Sequence, residues 1–436
     1  KLLREGKADM ATLDNKVRNV LRLIFRTAMK SDKGFGSLCS DEHYAAARRI
    51  GAEGIVLLRN KGNLLPLDPS KPQNILVVGE NAVKMMTVGG GSSSLKVQRE
   101  TSPLDGLRAQ APAGSTVVWE RGYVGDPTGE YNGVTSGQDL SESRSADRLI
   151  ADAADAARRA DVVIFVGGLN KATGQDCEDS DRESLALPYN QDAVIEALVA
   201  ANPHTVVVNV SGNAVAMPWA DKVPAILQAW FLGSESGNSL ADVIFGRVNP
   251  SGKLPMTFPV RLDDVAAHAV GEYPGTKRAD SDIVDIRYNE GVLVGYRWFD
   301  TKKIRPLFAF GHGLSYTTFG YGKLSADASK IGPDGALTLS VDVTNTGSRA
   351  GAETVQLYIS DTKASVKRPA KELKNFAKIY LEPGQTKTVT FTVRPSDLAF
   401  FDAGAHAWKA EPGEFRAHVG AASDDIRSSL RFVLTD

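Results

Sequence analysis

The chain has 436 residues, of which 42% are hydrophobic and 24% are charged, a composition typical of an ordinary globular protein with two or three domains. Its net charge of -1 provides no bulk electrostatic attraction for nucleic acid, and no apolar run approaches the roughly 20 residues that span a bilayer. Two cysteines and six scattered histidines form no CxxC, HExxH or disulfide framework, so the sequence predicts no metal and no cofactor.

Apolar residues recur at helical spacing near the start of the chain, which predicts one amphipathic helix capped by Thr12 or Asp14 and ended by residues 33–36. These residues are Leu13, Val17, Val20, Leu21, Ile24 and Ala28. Two interpretations fit equally. The helix is the last one of a domain whose body lies outside this chain, or it is an arm on the domain that follows. Because the chain begins at a lysine without a signal peptide, we expect residues to precede it.

Residues 42 to 258 alternate short apolar runs with helical segments, which predicts a layered α/β fold with a mostly parallel sheet covered on both faces. The runs are rich in β-branched residues, as buried parallel strands are. The predicted strands are 75–79, 116–119, 162–166, 205–210 and 225–230. The predicted helices are 42–53, 145–159, 190–201 and 236–245.

The rest of the chain changes character twice. Residues 259–320 lack a clean period and are rich in Pro, Gly and aromatic residues, so we interpret them as a long connection packed by its own aromatics. After residue 321, alternating strands separated by turn signals such as Asn345-Thr346-Gly347 predict an all-β sandwich like a fibronectin type III domain.

Loops after buried parallel strands are where ligands gather in open α/β sheets, and two such loops stand out. The first is Gly89-Gly90-Gly91-Ser92-Ser93-Ser94, downstream of the strand at 75–79. Its glycines permit close approach of backbone N–H groups to a ligand, and its hydroxyls suit a polyol. It matches neither phosphate-binding glycine motif, and a flexible surface turn is the competing interpretation.

The second loop follows the strand at 162–166 and contains four carboxylates within six residues: Asp176, Glu178, Asp179 and Asp181. Crowded like charges raise the proton affinity of at least one member, and a carboxyl kept protonated near neutral pH can act as a general acid. Arg182 can lower the pKa of one neighbour. The residues alone leave three interpretations open: a solvated acidic loop, a catalytic acid, or a cation site.

Several motifs, in this order over essentially the whole chain, resemble the C-terminal half of family 3 glycoside hydrolases, the β-glucosidase group. The first is Ala52–Asn60, followed by Leu64-Leu65-Pro66-Leu67, and the second is Asn249–Pro255, followed by Thr257-Phe258-Pro259. The third comprises Tyr288, Glu290-Gly291 and Val294–Arg297, and the fourth is Phe310–Phe319. Each motif is modestly specific, and their order is strongly specific. The resemblance implies a retaining β-glycosidase in which a TIM-like barrel carries an Asp nucleophile and the α/β domain supplies a Glu acid/base.

The family pattern Glu-Gly-x-Asp-Arg resembles residues 178–182, with Asp179 in place of Gly, and implies that Glu178 is the general acid/base. Asp176 is the runner-up for that role. Asp181 and Arg182 are expected to orient the loop through an internal ion pair. The glycine-rich loop matches the family loop that faces the substrate, so Gly90, Gly91, Ser92 and Ser93 are expected to bind substrate.

The resemblance also implies a division of the chain and a set of partners. Residues 1–40 are expected to be the terminal helix and linker of a missing barrel, 41–258 the α/β sandwich, 259–320 the connection, and 321–436 the fibronectin-like domain. The expected partners are a β-linked oligosaccharide or glucoside and a companion chain or fragment that carries the barrel and nucleophile. A homodimer stays open. The family favours a periplasmic or secreted location.

Three alternatives to a β-glucosidase stay open. Two are enzymes of the same family, a β-xylosidase and an N-acetylglucosaminidase, whose specificity depends on barrel residues absent from this chain. The third is a non-catalytic carbohydrate-binding or scaffold protein, because this polypeptide shows no nucleophile motif.

Overall fold

The computed structural model describes residues 1–30, 32, 34, 36–87, 92, 95, 97–125, 130–131, 134–135, 139–178 and 181–436. The chain divides into two compact units, Lys1–Tyr44 and Ala45–Asp436. Across the described ranges, no helix combines the length and apolar character needed to cross a bilayer.

The first unit is built on helix α1, Met10–Arg26. Its N-cap is Asp9, whose carboxylate accepts a hydrogen bond from the Thr12 N–H at 2.6 Å, so the predicted caps, Thr12 or Asp14, are wrong. The helix is amphipathic as predicted, but none of its residues is buried, and Val20 is 58% exposed. An apolar stripe of this kind is normally covered by a partner element.

The second unit begins with an α/β layer. Its helices are α2 (Asp41–Gly54), whose residues up to Tyr44 fall in the first unit, α3 (Pro103–Gln110), α4 (Ala146–Ala157), α5 (Gln191–Ala201) and α6 (Ser236–Ile244). Its strands are β1 (Val56–Asn60), β2 (Asn74–Val78), β3 (Thr116–Glu120), the short β4 (Glu130–Tyr131) and β5 (Val134–Thr135), then β6 (Val162–Gly168), β7 (Thr205–Val210) and β8 (Ala225–Gln228). The main sheet has the order β1-β8-β7-β6-β2-β3, and only the β1–β8 pair is antiparallel.

Alternate residues of the central strands enter two separate cores, which is why these strands are apolar throughout. In β6 all seven residues are buried. Ile164 and Val166 pack with α3 and α6, whereas Val163 and Phe165 pack with α4 and α5. The predicted layered α/β fold with a mostly parallel sheet is confirmed, and its parallel strands present their carboxyl ends along one edge.

The connection after the sheet contains α7 (Ala266–Ala269), β9 (Thr276–Lys277), β10 (Val284–Asp285) and α8 (Tyr296–Lys302). Phe258 pairs with Phe308, and Leu57 pairs with Leu314, so the end of the connection returns to the sheet domain. Trp298 and Phe299 of α8 form a small apolar core with Leu293. The predicted packing by aromatic residues describes this segment well.

The remaining residues form two facing β-sheets around one core, which confirms the predicted fibronectin-like sandwich. The elements are β11 (Phe319–Tyr321), β12 (Ser325–Ala326), β13 (Lys330–Ile331), β14 (Leu337–Asn345), β15 (Gly351–Asp361), β16 (Glu372–Leu381), β17 (Thr386–Val393), α9 (Pro395–Leu398), β18 (Phe400–Asp402), β19 (Ala407–Lys409), β20 (Gly413–Ala422) and β21 (Asp425–Leu434). One sheet joins β11, β14, β12 and β17, and the other has the order β13-β21-β20-β15-β16. The short strands β18 and β19 pair with each other.

Candidate active site

Loops that follow three neighbouring parallel strands meet at the carboxyl edge of the sheet. Ser92 lies after β2, Glu178 after β6, and Gly212 after β7. The Ser92 N–H donates to Glu178 Oε2 at 3.0 Å, and the Gly212 N–H donates to Asp176 Oδ2 at 2.6 Å. The acid-rich loop therefore lies between the glycine-rich loop on one side and the turn after β7 on the other.

Glu178 is exposed at this edge, and its carboxylate accepts hydrogen bonds from both the hydroxyl and the N–H of Ser92. These two bonds stabilise the ionised form and hold the pKa of Glu178 below its ordinary value. Glu178 is thus an exposed carboxylate at the carboxyl edge of the sheet, held by the neighbouring loop through Ser92.

Asp176 belongs to the same loop and has a raised pKa, for which burial is the largest cause. The Gly212 N–H and the charges of Arg182 and Lys171 offset part of this shift. The expectation that one carboxyl of this loop has a raised pKa agrees in direction with Asp176, for which burial is the largest cause.

Asp181 and Arg182 each contact a different element, and their expected internal ion pair stays a prediction. Asp181 accepts a hydrogen bond from the hydroxyl of Tyr273, which belongs to the connection. Arg182 donates through Nη2 to the Ala214 carbonyl oxygen at 2.6 Å, beyond β7. Each residue ties the loop to a neighbour, and their loop-orienting role stays a prediction with these contacts as its basis.

Of the four residues predicted to bind substrate, Ser92 is the one that the structure describes. It is exposed and contacts Glu178. Gly90, Gly91 and Ser93 lie outside the described residues, as do Asp179 and Ser180 of the acid-rich loop.

A cation and an aromatic ring flank the acid-rich loop. The Lys171 ammonium lies 3.8 Å from the centroid of the Phe231 ring. Burial lowers the pKa of Lys171, while the nearby Asp176 opposes that shift. An ammonium over a ring face is a stabilising arrangement that also keeps positive charge close to Asp176.

The stem of the glycine-rich loop is anchored by a buried ionic cluster, which we call the Glu80 cluster: Glu80, Lys84 and Arg121. Glu80 is 1% exposed, and its two carboxylate oxygens accept from Lys84 Nζ at 3.1 Å and from Arg121 Nη2 at 2.8 Å. The Gly125 N–H donates to the same carboxylate at 2.8 Å. The cluster fixes the chain between β2 and the loop that carries Ser92.

Sequence reasoning missed two residues that hold the acid-rich loop. Asn213 donates through Nδ2 to Asp176, and Tyr273 donates to Asp181. Asn213 was recoverable, because it follows the apolar run at 205–210 and the rule that ligands gather after strands applies there too. Tyr273 lies 92 residues beyond Asp181 in a segment without periodicity, so no local signal pointed to it. Among the described residues, no group of three or more His, Cys, Asp and Glu side chains is arranged to hold a metal ion.

The sequence pattern of the glycosyl hydrolase family 3 C-terminal domain matches residues 55–316, which is more than half of the chain. The chain belongs to glycoside hydrolase family 3. A fibronectin type III-like domain matches residues 353–423. Both matches agree with the resemblance that the motifs indicate and with the two folds described above.

The relatives are similar over nearly the whole chain. Beta-glucosidase BoGH3A of Bacteroides ovatus is 49% identical over 99% of this chain and 57% of its own length. Thermostable beta-glucosidase B of Acetivibrio thermocellus is 38% identical over 97% of this chain and 52% of its own length. The crystal structure of a GH3 beta-glucosidase of Bifidobacterium adolescentis superimposes with a TM-score of 0.85 at 34% identity, covering 99% of this chain and 59% of that one. The chain thus spans a little over half the length of these relatives.

Proposed function

We propose that this chain is the acid/base-carrying part of a retaining, exo-acting β-glucosidase that removes terminal β-linked glucose from oligosaccharides or glucosides. Glu178 protonates the departing glycosidic oxygen while a nucleophilic carboxylate attacks the anomeric carbon. It then takes a proton from the water that releases glucose from the glycosyl-enzyme. The family membership and the relatives named beta-glucosidase support this function.

The observation that carries the proposal is the placement of Glu178. Its carboxylate is exposed at the carboxyl edge of the parallel sheet and is held by Ser92 of the neighbouring loop. A general acid must reach a substrate oxygen, which an exposed carboxyl on a braced loop can do. Enclosure by a second domain withdraws such a carboxyl from water, and desolvation then raises its pKa toward the range that a general acid needs.

The nucleophile and the barrel belong, in this proposal, to polypeptide outside these 436 residues, on a companion chain or fragment. A retaining mechanism places the two carboxyl groups about 5–5.5 Å apart, so the barrel must approach the Ser92–Glu178 edge closely. The exposed apolar stripe of α1, with Val20 at 58%, supports a covering partner near that helix. Native mass spectrometry of purified material distinguishes a bound companion from a homodimer of this chain. The absence of any companion contradicts the proposal that the barrel lies on a companion chain or fragment.

The reaction itself is tested on the complete enzyme with proton NMR. A retaining enzyme releases glucose first as the β-anomer, which then mutarotates, and exo action removes one glucose at a time from a cello-oligosaccharide. Release of the α-anomer first, or cleavage within the chain, contradicts the mechanism. No hydrolysis of any β-glycoside favours the non-catalytic alternative, and faster hydrolysis of β-xylosides or β-N-acetylglucosaminides favours the other enzymes.

Replacing Ser92 by Ala is expected to move the basic limb of the pH profile of kcat/KM to higher pH. The Ser92 hydroxyl stabilises ionised Glu178 and lowers its pKa. Without it, that pKa rises and the general acid stays protonated at higher pH. Ser92→Thr keeps a hydroxyl and is the matched control, which should retain the wild-type limb. A limb that stays in place or moves down in Ser92→Ala shows that Ser92 does not tune Glu178.

A further inference from the structure

We infer that Asp176 is a positioning residue whose carboxylate fastens the Glu178 loop to the turn after β7 through Gly212 and Asn213. This inference rests on the proposed function and adds a task for a carboxylate that the sequence offers as a rival acid/base. We call the three residues Asp176, Gly212 and Asn213 the Asp176 clasp.

Each oxygen of the Asp176 carboxylate has its own donor in the clasp. The Gly212 N–H donates to Oδ2 at 2.6 Å, and Asn213 Nδ2 donates to Oδ1. Asp176 precedes Glu178 by two residues, so the clasp limits where the backbone of the acid/base can lie. The bonds from Gly212 and Asn213 favour the ionised form of Asp176, which makes it less suited to give up a proton to substrate.

The receiving side of the clasp is rigid because a buried amide network secures it. Asn209 Nδ2 donates to Gln228 Oε1 at 2.6 Å and to the Ser211 hydroxyl at 2.8 Å. Gln228 Nε2 donates to the Ser211 carbonyl oxygen at 2.9 Å, and the Ser211 hydroxyl donates to the Asn213 carbonyl oxygen at 2.7 Å. Asn209, Ser211 and Gln228 are each at most 1% exposed.

A short series of hydrogen bonds connects the core of the sheet to the loop that carries the acid/base. Buried side chains at the ends of β7 and β8 fix the turn at 211–213, the turn holds Asp176, and Asp176 holds the loop. Arg182 adds a parallel tie by donating to the Ala214 carbonyl oxygen at 2.6 Å. Displacement of a reacting group by about 1 Å can cost on the order of 100-fold in rate, so a clasp of this kind has a measurable effect.

The test is an exchange of the two side chains in the complete enzyme. Asp176→Asn places an amide NH₂ against the NH₂ of Asn213, and Asn213→Asp places two carboxylates in contact, so each single change breaks the clasp. The double variant Asp176→Asn/Asn213→Asp restores one donor and one acceptor, and the amide oxygen introduced at position 176 can still accept from the Gly212 N–H. Asp221→Asn, whose side chain is fully exposed, is the matched control.

If the clasp positions Glu178, the loss of activity in the single variants should depend on whether the leaving group needs protonation. For each single variant we expect kcat/KM on cellobiose, whose leaving group needs protonation, to fall on the order of 100-fold. On 2,4-dinitrophenyl β-glucoside, whose leaving group does not, we expect a change of less than about threefold. We expect the double variant to recover to within about fivefold of wild type on cellobiose, since the pair is re-formed.

Two results overturn the clasp. If the double variant is as impaired as Asp176→Asn, the carboxyl of Asp176 itself takes part in the chemistry, because an amide cannot donate the proton of an acid. If both single variants match Asp221→Asn on cellobiose, the clasp does not position the loop. Failure of the proposed role of Glu178 is recognised separately, because Glu178→Gln would then lose activity equally on both substrates, whatever the clasp variants do.

Discussion

Replacing Glu178 by Gln in the complete enzyme is expected to lower kcat/KM for cellobiose by about 10²–10⁴-fold, the usual contribution of a general acid. Glutamine keeps the size of the side chain and can still accept a hydrogen bond from the Ser92 N–H. It cannot donate a proton to the departing oxygen. The loss should therefore shrink to a few-fold for 2,4-dinitrophenyl β-glucoside, because that leaving group departs without protonation.

Azide provides the second readout for this variant. The glycosyl-enzyme forms readily from the activated glucoside but waits for a base to activate water, so turnover slows at the second step. Azide needs no base. It attacks the anomeric carbon, the bond to the nucleophilic carboxylate breaks, and β-glucosyl azide is released. We expect azide to restore turnover of Glu178→Gln and to leave the wild-type enzyme unaffected.

The matched control is Glu183→Gln, because Glu183 is an exposed carboxylate in the same loop that we place outside the reaction. It should keep kcat/KM for both glucosides within about twofold of wild type, as surface substitutions usually do. Equal losses of Glu178→Gln on both leaving groups without azide rescue would contradict the acid/base role and would make the other carboxyls of the loop the next candidates.

The parts of the fold that the sequence predicts well are those where local pattern and tertiary burial coincide. The strands β2, β6 and β7 are short runs rich in β-branched residues and largely buried, a pattern typical of a parallel sheet that is covered on both faces. The antiparallel pairing of β1 with β8 was not predicted. The direction of β1 depends on its contacts with a strand that is distant in the sequence, and the five residues of β1 alone do not determine it.

Helix α3 was missed for a different reason. It has eight residues, begins with Pro103 and contains Gly106, so its intrinsic propensity is low. A Cβ at Gly106 would lie 2.2 Å from the Gly237 carbonyl group, which shows that glycine is required where α3 approaches α6 closely. Tertiary packing therefore selects a residue that local rules treat as a helix breaker.

The candidate site also has a part that the sequence indicates and a part that it does not. The acid-rich loop is recognisable because it follows a buried strand and carries a family pattern, and local spacing carries that information. The residues that contact this loop are not recognisable from the sequence, because Tyr273 and Asn213 belong to other segments of the chain. The sequence also could not show that burial is the largest cause of the raised pKa of Asp176, since burial is a property of the folded loop.

Replacing Glu80 by Gln is expected to lower the free energy of unfolding of the α/β domain by about 3–5 kcal/mol, the usual cost of removing one member of a buried ion pair. Glu80 supplies the carboxylate that Lys84 and Arg121 share, and these two cations are 1% and 4% exposed. Without that negative charge, Lys84 and Arg121 lose the buried carboxylate that both of them contact. Glutamine keeps the volume and the acceptor for the Gly125 N–H, so packing changes little and the lost charge dominates.

An exposed pair serves as the matched control for this stability prediction. Lys222 and Glu196 lie 2.6 Å apart with side chains 61% and 49% exposed, so water screens their attraction. Glu196→Gln should cost no more than about 1 kcal/mol. Urea unfolding followed by tryptophan fluorescence compares the two variants at the transition of the α/β domain, where Trp219 is fully buried. If Glu80→Gln costs no more than Glu196→Gln, the buried cations are compensated without Glu80, and the cluster cannot be what anchors the stem of the glycine-rich loop.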